Sequence, residues 1–234
     1  MRAVESGRPP GAWRKVLAET VRDLTPGAFA FVMATGIVSL AVAAASLGRH
    51  ANGPALGGLA AVCWAVGLVQ YLLIAALAPA RLLLEPVAPT ELVTPYWIFM
   101  GAAAITVLAG ARTLRTPPGS QLLPRPVVLG LSTALWSFCT WLIPLLLALG
   151  FWRHLLRHVP LRYEASLWSL VFPVGMYGAA TRELARAGRW DWMAAIGAAG
   201  SWAALALWAL VFLGMLAMAA MARHPSVHRA GRSG

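Results

Sequence analysis

The residues with the best claim to act on a solute lie in one stretch, 161–184, LRYEASLWSLVFPVGMYGAATREL. Ser166, Ser169, Pro173, Tyr177 and Thr181 recur there at three- and four-residue spacing, so they share one helix face. Phe172 stands beside that stripe. Between Glu164 and Arg182 lie seventeen uncharged residues, enough to cross most of a hydrocarbon core. Pro173 has no backbone N–H, so the carbonyl of Ser169 loses its normal helical partner. In lipid that vacancy must be met by protein, a hydroxyl or water. Two readings fit this uncharged, broken face. It is a conduction path, or it is a kinked packing helix of a kind common in membranes.

Other hydroxyls fall on similar faces. Thr35 and Ser39 flank Gly36; Ala102, Thr106 and Gly110 make a small face; Thr133, Ser137, Thr140, Trp141 and Pro144 make another. Each also serves close helix packing through small residues. His154 and His158 are four apart but lack a third ligand in their segment, so no metal site is expected. Flanked by Arg153 and Arg157, they read as a basic surface near lipid headgroups. Cys63 and Cys139 sit inside apolar runs and read as free thiols. No Asp, Glu, Lys, Arg or His is expected deep in a span. Ion-coupled carriers usually mark their path with such groups, and hydrolases need a general base or metal. The chain therefore reads as neither an enzyme nor a cofactor protein, and its pore, if it has one, as neutral. Helix ends and basic mouths can still make such a passage favour anions.

Composition says what positions these residues. The 234-residue chain is 59% hydrophobic and 12% charged, with a mean hydropathy of +0.70, where a soluble domain carries about 25% charged residues. Charges fall at the ends of apolar runs, the pattern of an all-α polytopic membrane protein rather than a barrel. The net charge of +11 is scattered over loops and tails, without the basic face of a nucleic-acid-binding module. No short apolar core precedes the first long run, so no cleavable signal peptide is expected.

Residues 1–25 read as a disordered start followed by an interfacial amphipathic helix, with Trp13, Val16, Leu17, Val21 and Leu24 on its apolar face. A single transmembrane domain, 26–222, follows, with spans at about 27–47, 55–78, 95–111, 127–150, 165–182 and 192–222; residues 223–234 form a basic tail. Pro26, Pro95 and Pro173 lie near or in the first member of each pair, which hints at three repeated hairpins. Six spans put both termini on one side. That side carries 12 Lys and Arg against 7 opposite, which places the termini in the cytoplasm and the protein in a cell membrane, a bacterial inner membrane by this reading.

Three segments then carry a likeness. LTPGAFAFVMATGIVSLA (24–41), PYWIFMGAAAITVLAGA (95–111) and LWSLVFPVGMYGAAT (167–181) resemble, in that order, helices of the tellurite-resistance/dicarboxylate transporter family, which includes the plant guard-cell slow anion channels. The resemblance implies helical hairpins around a pore lined by each first helix, passage of anions or small carboxylates without a cofactor, and homotrimers with a pore in each subunit. Through the WS-x-x-FP pattern it implies that Phe172 plugs the pore at the Pro173 kink. The expected pore face is Thr35, Ser39, Thr106, Ser169 and Tyr177. One departure stands out. The family has ten spans in five hairpins, and this chain has six in three, as though four helices were missing between about 78 and 94. The alternative is a non-conducting membrane protein or assembly partner.

Overall fold

The computed structural model describes residues 28–48, 53–84, 94–116, 121–158, 160 and 163–223. Its centre is a helix with no outward side, α3 (Thr94–Thr113), in which every residue from Phe99 to Ala111 is buried. The run FMGAAAITVLAGA is small and apolar all round, so each face gains by being covered. Five other α-helices are described: α1 (Ala28–Gly48), α2 (Gly53–Leu84), α4 (Arg125–Phe151), α5 (Trp168–Gly188) and α6 (Asp191–Arg223). Helices α1, α2, α4 and α5 all pack on α3, while α6 packs on α5. The described residues contain no strand, and the fold is that of a helical membrane protein.

Consecutive helices form antiparallel hairpins. Ser39 Oγ donates to Ala60 O at 2.9 Å between α1 and α2, Cys139 Sγ to Met100 O at 3.3 Å between α3 and α4, and Gly178 sits on Gly200 and Ser201 between α5 and α6. The first members run parallel to one another. Gly36 of α1 faces Ile105 of α3, and Gly101 of α3 faces Pro173 of α5. The residue offset is close to 70 at both contacts, which gives the proline-marked hairpin pattern a geometric counterpart. The hairpins also put the described start of α1 and end of α6 at the same end of the bundle.

Inner and outer helices differ in sequence as they differ in place. Gly53–Leu77, Arg125–Leu156 and Asp191–Met221 are long and apolar enough to cross a membrane, and all belong to second members of hairpins. Only 6% of the apolar window in α6 is buried, so its surface is left for lipid. Val32–Ala45 and Trp97–Thr113 are shorter apolar helices. Helix α5 is more polar because it continues past the span expected at 165–182, through Glu183 and Arg186 to Gly188. Arg189 then takes the left-handed conformation (φ 58°), and Trp190 N–H reaches Ala185 O at 2.9 Å, a common helix-ending device. Helix α2 likewise runs through Pro79 to Leu84, into the stretch read as loop. The interfacial helix at 12–24 and the tail at 224–234 lie outside the described residues.

Charged groups tie the inner helices at one end. Glu183 of α5 is buried, with 7% of its side chain exposed. It accepts from Arg112 Nη2 (3.1 Å), Arg115 Nη1 (3.3 Å) and Arg186 Nη1 (2.7 Å). Arg125, at the start of α4, donates to Leu114 O (3.2 Å) just beyond α3 and to Ala187 O (2.5 Å) in the last turn of α5. Those carbonyls have no helical partner of their own, and a cation suits the negative end of a helix dipole.

Two outcomes follow. A Cβ at Gly178 would lie 2.7 Å from Ser201 N, on backbone that cannot step aside. Gly178→Val is expected to destabilise the α5–α6 hairpin by about 2 kcal/mol, whereas Gly130→Val, facing open space, leaves stability unchanged; unfolding in graded SDS compares them. Glu183→Gln leaves three guanidinium groups without their carboxylate and is expected to cost about 2 kcal/mol. Arg115→Ala, half exposed, costs under about 1 kcal/mol by the same assay.

Candidate functional site

The stripe on α5 passes from surface to interior. Ser166, exposed, donates to Glu164 Oε2 at 3.2 Å, and Ser169 Oγ donates to Ser166 O at 2.6 Å. Pro173 is buried. A Cβ at position 101 would come within 3.0 Å of its ring, so the absence of a side chain there lets α3 approach the proline. One residue earlier, Phe172 is 42% exposed. Further on, Tyr177 and Thr181 are buried. Tyr177 OH and Thr140 Oγ1 of α4 lie 2.9 Å apart in a hydrogen bond. Thr181 Oγ1 donates to Tyr177 O at 2.6 Å and accepts from Trp136 Nε1 at 2.9 Å. The Trp136 ring stacks on Tyr177 with centroids 6.5 Å apart. The stripe therefore joins α5 to α4 along its second half and leaves Phe172 exposed beside Pro173.

The other expected pore residues also have neighbours. Thr35 Oγ1 donates to Gln70 Oε1 of α2 at 3.2 Å, and Ser39 reaches Ala60 O. Thr106 is buried and donates to Ala102 O at 2.8 Å, while its own carbonyl accepts from Trp64 Nε1 at 3.0 Å. The structure brings Tyr177 against Thr140 and Pro173 against Gly101. Thr35 and Ser39 turn toward α2, and Thr106 is enclosed within its own helix and Trp64.

Two described cavities have other walls. One, of about 410 Å³, lies between α2 and α4 and is lined by apolar side chains with Tyr71. Tyr71 stacks on Phe99 of α3, with centroids 5.6 Å apart. The other, of about 180 Å³, lies between α1 and α3 and is lined by Leu40, Ala43, Ala44, Leu108 and Arg112. It adjoins the Glu183 cluster through Arg112. At this end Arg112, Arg115 and Arg186 meet Glu183, and Arg125 donates to the carbonyls of two helix ends, so the field there is positive and draws anions.

Sequence reasoning did not find this cluster. Its signal was a pair of basic residues three apart after one span (Arg112 and Arg115), Arg125 opening the next, and an acid three before a base after a third (Glu183 and Arg186). All lie at ends of spans assigned to the same side, where opposite charges can meet. Trp136 was also missed. It sits four residues before Thr140, on the face that meets Tyr177 and Thr181.

Comparison with known proteins agrees with this architecture. The pattern of the voltage-dependent anion channel family matches residues 40–216, which takes in the second and third recognised segments and touches the end of the first. Two Mycobacterium tuberculosis proteins, from strains CDC 1551 and H37Rv, are each 43% identical over 164 residues, covering 70% of this chain and 81% of theirs. Both are named as uncharacterized membrane proteins. No solved structure matches. Membership implies anion transport, the family being one of channels rather than enzymes. The matched length spans α2 to α5 whole, most of α6 and the second part of α1: the chain is a membrane protein that belongs to the voltage-dependent anion channel family.

Proposed function

We propose that the protein passes anions or small organic acids (a C4-dicarboxylate, tellurite or an inorganic anion) through a neutral, proline-kinked path. The observation that carries this reading is the half-exposed Phe172 ring beside the buried Pro173, on the helix that packs against the centre of the fold. Family membership and the positive end of the bundle support it. Thr35, Ser39, Thr106, Ser169 and Tyr177 supply polar groups along α1, α3 and α5. Phe172 gates the path and Pro173 sets its bend. Three inner helices form an arc rather than a ring, so a neighbouring copy in a homo-oligomer, a trimer on this reading, supplies the missing walls.

A second reading has its own support. The hydroxyls of Thr35, Ser39, Thr106 and Tyr177 each bond to neighbouring protein groups. Satisfied hydroxyls suit a packing role, as in a non-conducting assembly partner.

Flux of chloride, nitrate, malate and tellurite into proteoliposomes separates the two. On the first reading the protein conducts at least one of them, and Phe172→Ala raises that flux several-fold while the protein melts as before. Unchanged flux in a well-folded Phe172→Ala protein removes the gate role. An oligomer that passes none of the four establishes the second reading.

A further inference from the structure

We propose that the cavity between α1 and α3 binds a small amphiphilic monoanion, a carboxylate carried on a short apolar body. This goes beyond the permeation reading and concerns residues outside the proposed pore face. The cavity measures about 180 Å³ and is lined by Leu40, Ala43, Ala44, Leu108 and Arg112. A cavity of about 150 Å³ with apolar walls is large enough to hold benzene. Arg112 is the cationic member of the lining. Its Nη2 is engaged with Glu183 Oε1 at 3.1 Å. The Arg112 side chain is 39% exposed, so a carboxylate in the cavity can accept a charge-assisted hydrogen bond from the accessible edge of the guanidinium. Glu183 keeps the guanidinium in place, so the site is prearranged and little is lost in ordering it on binding.

The rest of the lining sets selectivity. Methyl and isobutyl groups of Ala43, Ala44, Leu40 and Leu108 suit an alkyl or aryl body. A second carboxylate on the same molecule would be desolvated against those groups with no second cation among the described lining residues, which disfavours dianions. Chloride satisfies the charge but leaves the apolar walls uncovered. The chemistry is shared by a free short-chain carboxylate and by the charged end of a lipid. The small volume favours the free acid, since a diacyl lipid would have to leave its chains outside.

Titration calorimetry on the full chain in zwitterionic nanodiscs tests the assignment, with benzoate and butyrate as probes and succinate and chloride as comparisons. Benzoate and butyrate are expected to bind about tenfold or more tightly than succinate or chloride. Arg112→Gln is expected to weaken benzoate about tenfold or more. Because Arg112 also holds Glu183, a second variant decides the matter if the first fails to fold. Ala44→Phe fills the cavity from a partly exposed position, leaves the arginine cluster intact, and is expected to abolish benzoate binding without lowering the melting temperature. Succinate or chloride binding as tightly as benzoate overturns the proposal. So does an Ala44→Phe protein that binds benzoate like the parent. Failure to bind benzoate in zwitterionic discs, with heat evolved only on adding anionic phospholipid, also overturns it in favour of a lipid headgroup site. These readouts measure binding, so they stand or fall separately from the flux measurements.

Discussion

The structure depends on the burial of α3. A helix of small apolar residues with no polar side must be covered on every side, and four helices meet that demand. Its small side chains set how close they come. Gly101 admits the ring of Pro173, and Ile105 lies against Gly36. Close approach is what stabilises helices in lipid, where burying apolar surface gains little over leaving it in the bilayer. Pro173 of α5 is therefore part of the central contact, seated against Gly101 of α3.

Electrostatics fixes what packing leaves loose. Apolar helices side by side can slide or rotate at little cost, whereas a buried carboxylate shared by three arginines has few acceptable positions. Glu183 ties α5 to the end of α3, and Arg125 adds α4 through the free carbonyls of two helix ends. The three inner helices are parallel, so the negative ends of their dipoles gather at one end of the bundle, where the arginines are found. The same arrangement leaves that end net positive. It stabilises the fold and creates the field an anion meets on approach.

Division of labour between helices follows from what each one faces. Second members of the hairpins carry Leu, Val, Trp and Phe outward and are long enough to span. First members are shorter or more polar because protein covers much of their surface. In α5 this permits Glu183 and Arg186 within the helix, where a fully lipid-facing helix would exclude them.

Hydropathy and spacing alone determined the membrane class, six helices in three hairpins, the place of Pro173 inside the fifth of them and the residues sharing its face. These are properties of short windows, set by the 3.6-residue period and by the chain chemistry of proline. The family likeness was legible for the same reason, since it rests on contiguous segments. Tertiary structure decided what each face meets. Ser39 and Thr106 fall on faces that spacing offered to a pore, yet one bonds to α2 and the other is enclosed beside Trp64. Glu183 read as a charge just past a span, and only the parallel stacking of α3 and α5 brings Arg112 and Arg115 to it across about 70 residues of sequence. A helical period specifies which side chains point the same way. It says nothing about the neighbour they point at, because that is fixed by contacts between segments far apart in the chain.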